Sequence, residues 1–251
     1  MTRLQALIFD VDGTLADNER DGHRVAFNEA FASYGLDWDW TPDLYGKLLD
    51  VTGGKERIKF YVETYKPGEL SPNDMDALIA ALHKEKTRSY TNLIAQHRLP
   101  LRIGVKRLLD EARNAGLRLA IATTTSLVNV TTLLENTLSP DAVKWFDVIA
   151  AGDVVRSKKP APDIYYYALD ALKLQPNQCL AFEDSANGLR AATQAGLKTL
   201  ITYNDYTADH NFDQAIFISD HLGDSQNPCT IRKNPIKNIT LVDVPFLKEL
   251  L

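Results

Sequence analysis

Short apolar runs recur along the chain, and each ends in polar or small residues. They cover residues 4–9, 118–123, 148–151, 179–183 and 198–202. Continuous apolar runs of this length are typical of strands buried on both faces of a parallel sheet. Segments with helical periodicity separate them, so the pattern predicts an α/β fold with a doubly wound parallel sheet.

The connection after the first run is much longer than one crossover helix requires. Residues 16–99 have a mostly helical pattern, and a parallel connection needs only about a dozen residues. We therefore predict a sheet domain of residues 1–15 and 100–251, with a small helical cap domain, residues 16–99, inserted after the first strand. Predicted cap helices cover residues 22–34, 44–49, 55–65 and 73–97, and the joints with the sheet domain lie near 16–18 and 98–103.

Composition and charge narrow the classes of partner. The 251 residues include 28 Lys and Arg against 33 Asp and Glu, a net charge of −5, which argues against broad nucleic-acid binding. No apolar run reaches the length of a membrane-spanning helix. We therefore expect a soluble protein without a membrane partner. From the charge we expect no nucleic-acid partner, and we further expect a monomer. Cys179 and Cys229 lack a metal-type spacing. This cysteine usage favours a cytoplasmic location, or the chloroplast stroma if a transit segment has been removed.

The first apolar run ends in Asp10-Val11-Asp12-Gly13-Thr14. Residues two apart on a strand project to the same side, so two carboxylates share one site. This arrangement is unfavourable unless a cation or a shared proton relieves the repulsion. A calcium loop would require Asp or Asn in place of Thr14. The two carboxylates therefore indicate a site for a divalent metal, and a solvated acidic pair is the alternative.

A second acidic strand end is formed by Glu183-Asp184-Ser185. Carboxylate oxygens from two strand ends are hard ligands that suit Mg²⁺. Taken alone, the triplet also fits a helix N-cap in which Asp184 or Ser185 accepts from backbone N–H groups.

Two further segments offer groups for a phosphate. Residues 123–126 form a hydroxyl cluster at the mouth of a predicted helix, where phosphates commonly bind. Lys159, stiffened by Pro160, supplies a fixed positive charge. The alternatives are simple helix capping by one of these hydroxyls and an ordinary surface lysine pair.

In this order, Asp10 to Thr14, Thr123, Lys159 with Pro160, and Glu183 with Asp184 resemble the four motifs of the haloacid dehalogenase superfamily. The resemblance implies a Rossmannoid core and phosphoryl transfer through an aspartyl-phosphate. It also implies specific roles. Asp10 is the nucleophile, Asp12 the acid and base, and Thr123 and Lys159 hold the phosphoryl group. Mg²⁺ is bound by the Asp10 carboxylate, the Asp12 carbonyl, Asp184 and, directly or through water, Glu183.

Candidate substrate-binding residues lie in the predicted cap. Thr52-Gly53-Gly54-Lys55-Glu56-Arg57 combines a flexible glycine pair with two cations that could clamp a second anionic group. The alternative is a turn followed by a solvated helix face. Glu19 and His23 could contact sugar hydroxyls, although His23 also fits a satisfied helix histidine. From the sheet domain, Thr124 and Thr125 complete the candidate set.

A closer resemblance is to the CbbY family. It rests on FNE (27–29), TGGKERI (52–58), IATTTS (121–126), FDVIAAGD (146–153), KKPAPDIY (158–165) and EDSANGLRAA (183–192). The resemblance implies a Mg²⁺-dependent phosphatase of the Calvin cycle that converts xylulose-1,5-bisphosphate, an inhibitor of Rubisco, to xylulose 5-phosphate. Lys55 and Arg57 would then anchor the distal phosphate.

Other functions remain open at this point. A beta-phosphoglucomutase-like enzyme shares the nucleophile, the acid/base and the cap, but it returns the phosphoryl group to a sugar. A phosphatase for phosphoglycolate or another sugar monophosphate is also compatible with the motifs. A phosphosugar sensor without catalytic activity is a further alternative.

Overall fold

Seven strands form one sheet within residues 3–67, 72–96, 99–236 and 239–251, which the computed structural model describes. They are β1 (Ala6–Phe9), β2 (Arg118–Thr123), β3 (Val148–Ala151), β4 (Cys179–Glu183), β5 (Lys198–Thr202), β6 (Phe217–Ser219) and β7 (Ile231–Lys233). The order across the sheet is β3-β2-β1-β4-β5-β6-β7. All neighbouring pairs are parallel except β6 and β7. The predicted fold class is thereby confirmed.

The five apolar runs are all strands, and the first is shorter at its start than its pattern predicted. β6 and β7 were not predicted. Each has three residues, and β7 has two exposed positions. β6 is buried and follows an apolar start at 215–216, but it lies in the stretch after Tyr203 that is rich in Asn, Asp and Pro, where no strand was predicted.

Helices cover both faces of the sheet because successive strand residues point to opposite sides. Leu7 and Phe9 belong to one apolar cluster, and Ala6 and Ile8 belong to the other. The helices are α1 (Arg24–Ser33), α2 (Pro42–Leu48), α3 (Gly54–Tyr65), α4 (Pro72–Ala95), α5 (Val105–Asn114), α6 (Leu127–Thr137), α7 (Asp163–Leu172), α8 (Ala186–Gln194) and α9 (Val244–Glu249). α5, α6 and α9 contribute to the first cluster, and α7 and α8 to the second.

The chain between Ala16 and Leu101 is mostly helical where the structure describes it, as its pattern predicted, and contains α1 to α4. It has an apolar cluster of its own, in which Phe27, Trp40 and Tyr45 pack together. A bridge between Ala16 and Leu101 joins its two ends. The division into residues 16–99 and a surrounding sheet domain stays a prediction.

A few predicted positions differ from the structure or fall outside it. A stretch of π-helix, Glu19–His23, precedes α1, so the helix predicted from residue 22 begins as a wider turn. Gly68 in a predicted break, His97 in the predicted fourth helix and Arg98 in the second joint lie outside the described residues. Among the described helices, none has the length and apolar character needed to cross a bilayer.

Candidate active site

The carboxyl ends of β1 and β4 bring four acidic residues to one edge of the sheet, namely Asp10, Asp12, Glu183 and Asp184. Phe9 is paired with Phe182, and the Asp10 N–H donates to the Phe182 carbonyl at 3.0 Å. Asp10 therefore lies beside Glu183, at the edge where parallel α/β sheets bind ligands. Asp10, Glu183 and Asp184 are all buried.

Lys159 links the two strand ends. Its ammonium Nζ donates to Asp10 Oδ1 at 2.7 Å and to Glu183 Oε1 at 2.6 Å, and the Tyr165 hydroxyl also donates to Glu183 Oε1. Burial raises the pKa of Asp10, Lys159 opposes this, and the charges of Glu183 and Asp12 add to it, so the pKa reaches about 7. Burial tends to lower the pKa of Lys159, but Asp10 and Glu183 outweigh it and raise this pKa. The pair is thus a fixed cation beside a carboxylate that is costly to ionise.

The acidic cluster fits a magnesium ion by its chemistry. One oxygen each of Asp10, Glu183 and Asp184 lies within 4.8 Å of the others, and opposite ligands of octahedral Mg²⁺ lie about 4.2 Å apart. Glu183 Oε2 is buried and accepts no hydrogen bond from the described part of the chain. Burial and the charges of Asp10 and Glu183 raise the pKa of Asp184. A bound cation would relieve both the repulsion and the unpartnered oxygen.

Asp12 has different partners from Asp10. Its Oδ1 accepts a hydrogen bond from Asn18 Nδ2 at 2.7 Å, and His23 Nε2 lies 3.0 Å away. On the other side of the His23 ring, Lys86 Nζ lies 2.5 Å from Nδ1. Burial acts to raise the pKa of Asp12, but His23, Asn18 and Lys86 outweigh it and lower this pKa to about 2. The pKa values of the two carboxylates of the first motif are therefore shifted in opposite directions.

A cleft of about 200 Å³ opens over these groups. From the sheet side, Asp10, Asp12, Thr123, Thr124, Lys159, Glu183 and Asp184 line it, and from the helical segment Glu19, Thr52 and Arg57 do so. Glu19 accepts a hydrogen bond from the Tyr45 hydroxyl, and Thr52 Oγ1 accepts one from Asn187 at 3.1 Å. The structure thus brings most of the sequence-predicted site residues to one cavity between the sheet and the helices.

Lys55 is placed differently from the prediction. Its Nζ lies 3.0 Å from Asp153 Oδ2, outside the residues that line the cleft, whereas the buried Arg57 reaches the cleft. Hydrogen bonds from Lys158 and Lys55 lower the pKa of Asp153 to about 2. Lys55 therefore contacts the loop after β3, because it leaves α3 on a different side from Arg57.

His23 fits the alternative prediction of a histidine held by protein groups, since both of its ring nitrogens lie against neighbouring side chains. It stacks on Tyr90 with the ring centroids 3.9 Å apart and is buried. In this position it contacts the carboxylate of Asp12. The remaining predicted substrate residues, Gly53, Gly54 and Thr125, line a smaller cavity next to Asp12.

Several residues of the site were not predicted from the sequence. Tyr165 lies within the KKPAPDIY segment that carries the family resemblance, so the sequence did contain a signal for it. Asn18 was predicted as part of a joint and not as a partner of Asp12. Lys86 and Asn204 carry no local signal, because their roles depend on which elements pack together.

Comparisons with known proteins agree with this geometry. The sequence model of the haloacid dehalogenase-like hydrolases matches residues 4–196. Protein CbbY of Rhodobacter capsulatus is 51% identical over 212 residues, which cover 84% of this chain and 91% of that protein.

Two crystal structures of CbbY from Rhodobacter sphaeroides are similar to this chain over most of its length. The complex with phosphate has a TM-score of 0.80 and 46% identity, covering 87% of this chain and 94% of that one. A mutant in complex with xylulose-(1,5)bisphosphate has a TM-score of 0.81 and 45% identity, covering 88% and 96%. This chain belongs to the haloacid dehalogenase-like hydrolases, among the CbbY proteins, and is a phosphoric monoester hydrolase.

Proposed function

We propose that the chain is a Mg²⁺-dependent phosphatase that removes one phosphate from a sugar bisphosphate. Its substrate would be xylulose-1,5-bisphosphate and its product xylulose 5-phosphate. The observation that carries the proposal is that Asp10 and Asp12 face one cleft with different partners. Asp10 lies against Lys159 and the acidic cluster that fits a metal, and Asp12 lies against Asn18 and His23.

Asp10 is the nucleophile in this proposal. Its carboxylate oxygen forms a bond to phosphorus while the bond from phosphorus to the sugar oxygen breaks, giving an aspartyl-phosphate. Lys159 lies 2.7 Å from Asp10 Oδ1 and balances negative charge at the reacting group. Thr123, buried at the end of β2, lines the same cleft and is available to donate to the phosphoryl oxygens.

Asp12 is the general acid and base in this proposal. In the first step it gives a proton to the departing sugar oxygen, and in the second it takes one from the water that attacks phosphorus. The contacts with His23 and Asn18 hold Asp12 ionised, as the second step requires. A phosphate dianion beside Asp12 raises its pKa by like-charge repulsion and so favours the protonated form that the first step requires.

Mg²⁺ would be held by Asp10, Asp184 and Glu183, with the Asp12 carbonyl as a further ligand. When bound, it supplies positive charge to the phosphoryl oxygens as a Lewis acid. The chain's own residues prepare this site. Asn204 Nδ2 donates to Asp184 Oδ2 at 2.8 Å, which fixes one carboxylate, and Lys159 and Tyr165 fix Glu183.

The choice of a bisphosphate rests on the cations of the cleft and on the relatives. Arg57 is 8% exposed, and its Nη1 donates to the Tyr45 hydroxyl at 3.0 Å. A planar guanidinium held in this way is suited to a second phosphate. The CbbY mutant from Rhodobacter sphaeroides is bound to xylulose-(1,5)bisphosphate, which supports the same substrate here.

Phosphate release from xylulose-1,5-bisphosphate tests the proposal directly. We expect release of one phosphate with Mg²⁺, loss of turnover in chelator and recovery when Mg²⁺ is restored. Asp10→Asn, which removes the nucleophile, is the control and should be inactive. Full activity in chelator would contradict the metal site, and an Asp10→Asn variant with wild-type turnover would contradict the mechanism.

A panel of phosphorylated sugars separates the alternatives. Preferential turnover of phosphoglycolate or of sugar monophosphates would contradict the bisphosphate assignment while leaving the phosphatase intact. Isomerisation of a hexose phosphate without release of free phosphate would overturn the proposal in favour of a mutase.

A further inference from the structure

Arg102 lies where the chain returns from the helical segment to the sheet. Its backbone N–H donates to the Leu15 carbonyl at 2.9 Å, next to the bridge between Ala16 and Leu101. The residue is half-buried. Neither its sequence context nor the chemistry proposed above assigns it a role.

Four main-chain carbonyls surround the Arg102 guanidinium. Nη1 donates to the carbonyls of Gly13 and, at 2.7 Å, Thr202. Nη2 donates to the carbonyls of Tyr203, at 2.6 Å, and Asp220. These carbonyls belong to the turn after β1, the end of β5 and the segment after β6. Because the donors of a guanidinium are fixed in one plane, this side chain fixes the three segments relative to one another.

The Gly13 carbonyl connects Arg102 to the proposed acid and base. Gly13 directly follows Asp12, and its N–H donates to Asn18 Oδ1 at 3.3 Å. The Asn18 amide in turn donates to Asp12 Oδ1. Gly13 has a φ of 81°, which glycine adopts readily and L side chains disfavour, and its N–H also donates to the Ala16 carbonyl at 2.8 Å. Arg102 therefore holds the far side of the turn that carries Asp12.

The Tyr203 carbonyl connects Arg102 to the proposed metal site. Tyr203 directly precedes Asn204, whose amide donates to Asp184 Oδ2. Gly13 also lies directly against the Asp184 carboxylate, because a Cβ built on Gly13 would lie only 2.2 Å from Asp184 Oδ2. The turn with Asp12 thus packs directly against Asp184, and Arg102 lies behind this contact.

We propose that Arg102 is a positioning residue for phosphoryl transfer, which holds the Gly13 and Tyr203 carbonyls and thereby sets the Asp12 carboxylate in place relative to Asp184. The inference deepens the proposed function and rests on it, because it assigns proton transfer to Asp12. Without Arg102 the turn keeps its internal backbone hydrogen bonds, but the Gly13 carbonyl loses its partner on the side of β5. A small shift of the turn then misplaces the acid, which protonates the leaving sugar oxygen less effectively.

Arg107 offers a matched control in the same part of the fold. It is half-buried like Arg102, and its guanidinium donates to the carbonyls of Leu222, Gly223 and Val242 at 2.8 to 3.2 Å. None of these three is among the cleft-lining residues in the described part of the chain. Loss of Arg107 therefore removes a comparable clamp, one that holds neither the Gly13 carbonyl nor the Tyr203 carbonyl.

The test compares kcat/KM for two substrates whose leaving groups differ in their need for a proton. A sugar phosphate releases a basic alkoxide that needs the Asp12 proton, whereas p-nitrophenyl phosphate releases a stable phenolate. We expect Arg102→Met to lower kcat/KM for the sugar bisphosphate by about 10²-fold, with a much smaller loss for p-nitrophenyl phosphate. Arg102→Lys should recover part of the loss, because one ammonium cannot reach all four carbonyls.

Arg107→Met should lower the melting temperature while leaving the ratio of the two kcat/KM values at its wild-type level. If Arg102→Met does not fold, Arg102→Lys carries the comparison. Equal losses on both substrates, or the same change of ratio in Arg107→Met, would overturn the role of Arg102 alone. A wild-type protein that releases phosphate from no phosphorylated sugar would contradict the proposed function, and the inference with it.

Discussion

Replacing Asp10 or Asp12 by asparagine should change the stability of the folded protein in opposite directions. Burial and the charges of Glu183 and Asp12 outweigh Lys159 and raise the pKa of Asp10 from 3.8 to about 7. For Asp12, His23 and its neighbours outweigh burial and lower the pKa from 3.8 to about 2. The ionised carboxylate therefore destabilises the fold at the first position and stabilises it at the second.

The size of each effect on the free energy of unfolding follows from the pKa difference between the folded and unfolded states, at about 1.4 kcal/mol per unit. Between about pH 4 and pH 7, the unfolded chain has lost the Asp10 proton while the folded protein keeps it, so stability falls as the pH rises. Near pH 8 the ionised Asp10 lowers the free energy of unfolding by about 4 kcal/mol, and Asp10→Asn should recover this loss. The contribution of Asp12 is present above about pH 4, is lost as the pH falls towards 2, and amounts to about 2 kcal/mol.

Urea unfolding in the presence of a chelator measures both effects, with fluorescence of the buried Trp38 and Trp40 as the signal. At pH 8, Asp10→Asn should be more stable than the wild type and Asp12→Asn less stable, although both lose turnover. At pH 5 the advantage of Asp10→Asn should shrink to about two-fifths of its value at pH 8. Equal stability of Asp10→Asn and wild type at pH 8, or an advantage that does not depend on pH, would refute the reasoning.

Two further substitutions test other parts of the site. Arg57→Ala should raise KM for a bisphosphate more than for a monophosphate. Lys55→Ala should change either KM little, because Lys55 is paired with Asp153. Steady-state kinetics measure both KM values, and a larger effect of Lys55→Ala than of Arg57→Ala would contradict this assignment. In Gly188→Ala, the new Cβ would lie 1.9 Å from Glu183 Oε2, so we expect that carboxylate to move and the Mg²⁺ concentration for half-maximal activity to rise. An unchanged Mg²⁺ titration would argue against Glu183 as a ligand.

The parts of the fold and site that could be predicted from the sequence are those coded within a few consecutive residues. β1 and β4 are buried on both faces, so each leaves a continuous apolar run in the sequence. The residues that follow such a run must lie at the carboxyl edge of the sheet. For this reason the residue pattern predicts that Asp10, Glu183 and Asp184 lie at one edge of the sheet, while the pairing of β1 with β4 that brings them together is seen only in the structure.

Residues whose roles depend on tertiary packing could not be found in this way. Lys86 lies in the middle of α4, where a charged residue ordinarily marks a solvent-exposed face. The packing of α1 against α4 buries it beside His23 instead, and burial lowers its pKa to about 8. Asn204 follows β5 in a loop, and its contact with Asp184 follows from the pairing of β5 with β4. Neither contact leaves a pattern within its own segment.

The placement of Lys55 shows that helix geometry limits what a cluster of charges can do. Both Lys55 and Arg57 lie in the first turn of α3, and residues two apart on a helix point about 200° away from each other. They cannot both face one ligand, and the structure turns Arg57 into the cleft and Lys55 towards Asp153. A second phosphate would therefore be met by Arg57, while Lys55 joins the helical segment to the loop after β3.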